Sequence, residues 1–101
     1  MNKRRWQLNK DYPTLEHWFK LHKWDSPIPK NILPELGIII ENICAAGLYT
    51  DKSSKLGYMY GIFSNPNISK IKLFKAMILC LNEIKLLAKE LNLNFIYTTT
   101  A

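Results

Sequence analysis

An α/β domain is predicted, with a mixed, mostly antiparallel sheet and flanking helices in the order β-α-β-β-β-α-β. Three observations predict it. The run Gly37–Glu41 and the two segments after it are rich in β-branched and aromatic residues and are punctuated by polar turns. Two stretches, near residues 12–23 and 70–91, carry apolar side chains at three- and four-residue spacing. The second of these lies between strand-like segments, as in a helical crossover joining parallel strands. The 101 residues allow one domain, spanning 1–101. A content of 48% hydrophobic and 12% aromatic residues argues against a disordered chain.

Arg4 to Leu8 is expected as the first strand, with Trp6 and Leu8 on one face. Asp11 is expected to cap a helix from Tyr12 to Lys23, with Pro13 in the first turn, where a missing N–H costs little. Its apolar stripe is Leu15, Trp18, Phe19 and His22. Trp24 opens an ordered loop through Pro27, Pro29 and Pro34, beneath which Trp6 and Trp24 are expected to pack. Gly37–Glu41 and Ile43–Thr50 form a hairpin about Glu41-Asn42, and Asp51-Lys52-Ser53-Ser54 is a polar turn. Leu56–Phe63 is the next strand, ended by Ser64-Asn65-Pro66-Asn67. Ser69 caps a helix from Lys70 to Leu91, with a stripe of Ile71, Phe74, Met77, Leu81, Ile84, Ala88 and Leu91. Phe95–Thr98 is the last strand.

Composition narrows the function classes. The longest apolar run, Ala76–Leu81, is far short of the ~20 residues needed to span a bilayer. Lys3, Arg4 and Arg5 are followed by no apolar segment of the kind a secretory leader has. Cys44 and Cys80 make no disulfide framework and read as small buried hydrophobes. A cytoplasmic location is the expectation, without a membrane partner. The formal charge of +6 is scattered rather than blocked, so nucleic acid is not the expected partner, although a basic surface keeps it as a third reading. His17 and His22 lie about 140° apart on a helix, so they cannot clasp one ion, and no metal is expected.

Particular residues then carry a resemblance. They are Asp11-Tyr12-Pro13-Thr14-Leu15 with Trp18, then Pro29 and Leu33-Pro34, and the pair of strands in GIIIENICAAGLYT. Ile62-Phe63-Ser64-Asn65-Pro66 leads into the long helix, and Asn94–Thr98 follows it. In order and spacing the chain resembles the GNAT family of N-acetyltransferases, and most closely its short phage versions. The resemblance implies an acyl-CoA N-acyltransferase-like fold in which Tyr58–Phe63 and Phe95–Thr98 are parallel and splay apart, exposing backbone groups to acetyl-CoA as cosubstrate. The implied cofactor-binding residues are Ile62, Phe63, Ser64, Asn67, Ser69, Lys70, Ile71 and Lys72. The pyrophosphate would sit at the free amides that open the long helix. Strand amides near Ile62 and Phe63 would hold the oxyanion as an amine attacks the thioester.

The chain departs from the family at three places. It has no glycine after Gly61, where the family's phosphate loop has several. It carries Tyr60 and Gly61 where many members place a carboxylate, which leaves Tyr60 as the candidate catalytic residue. It also stops at Ala101, before a further helix and hairpin, so a C-terminally incomplete domain is expected. The strand Phe95–Thr98 is then expected at a sheet edge, open to a second copy or a host protein. The alternative expectation is a catalytically inactive phage protein of this fold that binds and inhibits a host protein or defence complex.

Overall fold

The computed structural model describes residues 1–23, 28–51, 53–93 and 95–98. Trp24, Pro27, Lys52 and Asn94 lie outside the described residues. The elements are β1 (Lys3–Arg5), α1 (Leu8–Leu21), a 3-10 turn (Lys30–Ile32), β2 (Leu36–Ile40), β3 (Cys44–Asp51), β4 (Leu56–Ser64), α2 (Lys70–Glu90) and β5 (Phe95–Thr98). The five strands lie side by side in chain order, antiparallel from β1 to β4 and parallel between β4 and β5.

Strand alternation splits the sheet's side chains between two cores. Ile38, Ile40, Cys44, Ala46, Leu48 and Met59 pack with Ala76, Cys80, Ile84, Leu87 and Ala88 of α2. Ile39, Ala45 and Phe63 point the other way, to Leu15, Trp18 and Phe19 of α1 with Trp6 and Leu33. The result is a sheet between two helices.

The first strand is shorter than expected, and the first helix starts earlier. β1 pairs with β2 only from Lys3↔Ile40 to Arg5↔Ile38. Trp6 then turns in, its Nε1 donating to Glu35 O at 3.1 Å, and Leu8 already belongs to α1. The helix caps on Gln7, not on Asp11, and Pro13 lies inside it rather than in its first turn. Asp11 reaches back to accept the Gln7 backbone N–H at 2.7 Å. Its other partner is Arg4, which meets both carboxylate oxygens at 2.9 and 2.6 Å. Arg4 also donates to Glu41 at 2.7 Å, so one guanidinium joins β1, α1 and the β2–β3 turn. The α1 stripe is buried at Leu15, Trp18 and Phe19, whereas His22 is exposed.

The turns follow the residues that make them. Asn42 carries the β2–β3 turn with a φ of 67°, a conformation asparagine tolerates better than most residues. Asn92 ends α2 at φ 58°, with its N–H bonded to Lys89 O and that of Leu93 to Ala88 O, the two bonds of a Schellman motif. Lys55 takes a φ of 55° in the β3–β4 turn, where a side chain on Cβ is strained. Lys55→Gly is expected to raise stability by about 0.5–1 kcal/mol. A raised urea midpoint at constant m-value would show it.

The buried face of α2 also differs from the expected stripe. Ile71, Phe74 and Leu91 are exposed and Met77 and Leu81 only partly buried, whereas Ile84 and Ala88 are buried as expected. Ala76 and Cys80, outside that stripe, lie on the sheet side with them. Small residues there let the helix sit close to β2 and β3, and Cys80 Sγ comes within 3.9 Å of Ile38 O. No helix among the described residues is long and apolar enough to cross a membrane.

Candidate functional site

β4 is interrupted where the site is expected. Ala45 faces Phe63 and Gly47 faces Tyr60, so Ala46 stands opposite two residues, Gly61 and Ile62. This bulge moves the alternation by one place. Met59 faces the α2 core and Tyr60 the α1 core, yet Ile62 packs with α2 and Phe63 with α1. The strand-to-strand ladder is locally broken at Gly61-Ile62, which re-aims backbone groups there.

The other side of β4 is paired with β5 only from Leu56↔Phe95 to Met59↔Thr98. Among the described residues, the edge of β4 from Tyr60 to Ser64 that continues beyond this ladder meets no strand. The chain leaves Ser64 through a tightly bonded loop. Asn65 donates its backbone N–H to Ile43 O at 2.9 Å and its Nδ2 to Asn42 O at 3.0 Å, which ties the loop to the β2–β3 turn. The Asn67 N–H donates to Asn65 Oδ1 at 3.0 Å.

Ser69 caps α2 as its position predicts, its Oγ accepting from the Lys72 N–H at 3.3 Å. The Leu73 N–H bonds Ser69 O. Among the described residues the amides of Lys70 and Ile71 have no protein partner, and they sit at the positive end of a 21-residue helix. The Lys70 and Lys72 side chains are exposed and make no ion pair among the described residues. The expected site residues are therefore gathered at one end of the sheet. Phe63 is buried, Ile62, Ser64 and Ile68 are half-buried, and Asn67, Ser69, Lys70, Ile71 and Lys72 are exposed.

Tyr60 stands in an aromatic ladder rather than alone. Its ring lies 5.6 Å from that of Tyr49 and 6.1 Å from that of Phe63, which meets Phe19 edge-on at 5.2 Å. Tyr58 extends the ladder, 6.4 Å from Tyr49. Burial raises the Tyr49 phenol above its ordinary value, with Tyr60 adding to the effect. Tyr49 donates its hydroxyl to Ile32 O. These tyrosines pack, and the rims of Tyr58 and Tyr60 remain half exposed.

Sequence reasoning missed two contacts. His22, at the end of α1, donates its Nε2–H to Ser64 O at 2.8 Å, which pins the last residue of β4. The signal was indirect, because nothing in the spacing joins residues 22 and 64. Cys44 and Cys80 are buried as expected, and they lie in one cluster where their thiols interact. The hydrogen bond with Cys44 and burial push the Cys80 thiol up, so it stays protonated. Neither thiol has the exposure a nucleophile needs.

Other concavities lie at the opposite end of the sheet. One open cleft of about 830 Å³ runs between the first turn of α1 and the segment Lys30–Glu35, lined by Gln7, Lys10, Lys30 and Asn31. Smaller ones flank the β3–β4 turn. Among the described residues no group of three or more His, Cys, Asp or Glu is placed to hold a metal ion. In comparisons with known proteins, the chain matches no family model and no curated protein.

Proposed function

We propose that the chain is an acetyl-CoA-binding, N-acetyltransferase-like domain that uses the end of β4 and the start of α2. One observation carries the reading. Among the described residues, the stretch of β4 beyond Met59 meets no strand and leads directly to a helix N-terminus whose Lys70 and Ile71 amides have no protein partner and whose Lys70 and Lys72 side chains make no ion pair. A peptide-like arm ending in a pyrophosphate matches both halves. Amide groups of the arm would bond the free edge of β4, and the phosphates would take the amides of Lys70 and Ile71. Lys70 and Lys72 would add charge-assisted bonds. The Ser69 hydroxyl already holds the Lys72 amide, so two first-turn amides rather than three face the anion.

In the acetyl transfer itself, a neutral amine would add to the thioester carbonyl. Amides re-aimed by the Gly61-Ile62 bulge would receive the developing oxyanion. The C–S bond would break, with the thiolate leaving and the amine's extra proton passing to water. Tyr60 lies one residue before the bulge, and its hydroxyl is the side-chain candidate for proton traffic.

A second reading keeps the fold and removes the chemistry. Tyr60 is held by Tyr49 and Phe63, and no carboxylate stands beside it on β4. That pattern favours an inactive domain kept for binding a host protein.

Calorimetric titration with acetyl-CoA tests the first reading. Micromolar binding is expected, weakened at least tenfold by Lys70→Glu/Lys72→Glu. Absence of heat at millimolar ligand would leave the second reading.

A further inference from the structure

The helix α2 stands alone on its face of the sheet among the described elements, since α1 and Leu33 belong to the opposite core. It rests on the sheet through Ala76, Cys80 and Ile84, all buried. Counting about 100° per residue, Ile71 and Ile78 lie roughly half a turn around the axis from Cys80, with Phe74 beside them. Ile71 is 73% exposed, Phe74 65% and Ile78 46%. Three large apolar side chains in one stripe are more than the scatter of single exposed residues a surface ordinarily shows.

The same outer arc is cationic. Lys75, Lys85 and Lys89 lie within about 60° of Ile78 around the helix axis. All three are exposed, and they make no ion pair among the described residues. The two acidic residues of α2, Glu83 and Glu90, are turned instead to the flank facing β1, where they bond Lys3 and Arg5. The outer arc therefore carries three cations and no acid, on a chain of formal charge +6.

We propose that the outer arc of α2 lies on the surface of an anionic bilayer, with Ile71, Phe74 and Ile78 in the headgroup layer and Lys75, Lys85 and Lys89 against the lipid phosphates and carboxylates. Charge and shape select that occupant. Three cations without an acid fit a surface of negative charge, and a second copy would bring the same lysines to face them. A helix raised alone on a sheet is a ridge, which a soft, flat surface meets along its length and a rigid protein fits only with a matching groove. Nucleic acid would take the lysines through its phosphates but leave the three apolar side chains without a partner. Lysine stems are long enough to reach the headgroups while the shorter apolar side chains sink between them. The expectation of no membrane partner rested on the short apolar runs, which exclude a spanning segment but not a helix lying on the surface. The proposal does not rest on acetyl-CoA binding, which would use the Ile71 amide and not its side chain.

Cosedimentation of the full chain with lipid vesicles tests this. Vesicles of phosphatidylcholine with about a third phosphatidylserine are expected to bind the chain, and pure phosphatidylcholine at least tenfold more weakly. Lys85→Glu/Lys89→Glu should weaken binding at least tenfold, and added salt should weaken it further. Lys10→Glu/Lys20→Glu makes the same change of net charge on α1, across the sheet, and should weaken it no more than about threefold. Phe74→Asn and Ile78→Asn leave the charge alone and should each weaken binding about fivefold or more. Since all these positions are exposed, unchanged circular dichroism and melting would show that the variants fold. No binding, equal binding to the two kinds of vesicle, or equal losses from the two lysine pairs would overturn the proposal. So would full binding by the asparagine variants, which reduces the effect to attraction of net charge. Binding of a single-stranded oligonucleotide in place of vesicles would overturn it by assigning the lysines to nucleic acid. Self-association in sedimentation that Phe74→Asn abolishes would overturn it by assigning the stripe to a second copy.

Discussion

Trp6→Ala is expected to cost about 3–5 kcal/mol, the range for emptying a large aromatic site in a core. The indole is 4% exposed although it lies just outside a three-residue strand. It lies flat on backbone, over Gly37 of β2 and Gly47 of β3. A Cβ at Gly37 would come to 2.2 Å from its ring, and one at Gly47 to 2.4 Å from Pro34 Cγ and 2.8 Å from the ring. Two glycines on neighbouring strands thus make the slot that the indole fills, and Pro34 closes it. Gly47→Ala is expected to cost about 1–3 kcal/mol through overpacking. Trp6→Leu combined with Gly37→Ala should lose less than the two changes summed, because the smaller side chain makes room for the added methyl. Urea denaturation of the four proteins measures this. Strict additivity would mean that the ring and the glycines do not share the slot.

The second large effect is expected at the ion cluster. Arg4→Met should destabilise the fold by about 3 kcal/mol at neutral pH, because it leaves the carboxylate of Asp11, 5% exposed, without its counter-charge. The Arg4→Met/Asp11→Leu double variant should recover part of the loss, since an apolar pair is not penalised for burial, though the Gln7 amide loses its acceptor. The same cluster sets an acid limb. The Arg4 guanidinium holds Asp11 below its ordinary 3.8 against the opposing pull of burial, and it also lowers Glu41. A depressed carboxylate contributes stability that is fully present above the unfolded value and is lost as pH falls through the folded one. The chain should therefore lose stability below about pH 4, and the Arg4→Met variant should lose less over the same range. Parallel pH profiles of the two proteins would contradict this assignment.

What could be read from the sequence, and what could not, divides along the same lines. β2, β3, β4 and α2 were legible because their signals are local: a run of three isoleucines, Asn42 at a turn, Pro66 after a strand, and Ser69 before a periodic stretch. The start of α1 was not. Gln7 is a poor cap by type, and Asp11 carries the right side chain for a cap that its long-range bond to Arg4 overrides. The face of α2 was illegible for another reason. Apolar residues surround the helix, so periodicity could not say which arc is buried, and the small Ala76, Cys80 and Ala88 decided it by permitting close approach. At the candidate site, the loop and its cap were visible, but the bulge was not. Nothing in Tyr-Gly-Ile-Phe marks a one-residue shift except the glycine, and only the register across β3 exposes it.

The proposed site for a CoA thioester is the end of the molecule where β4 runs past β5 and α2 begins. Amide chemical-shift mapping of the labelled chain during titration with acetyl-CoA locates the ligand. The largest shifts are expected at Gly61–Ser64 and at Lys70 and Ile71, with free CoA reproducing those at the helix. Shifts confined to the cleft about Lys10 and Lys30 at the other end of the sheet, or no shifts at all, would contradict it.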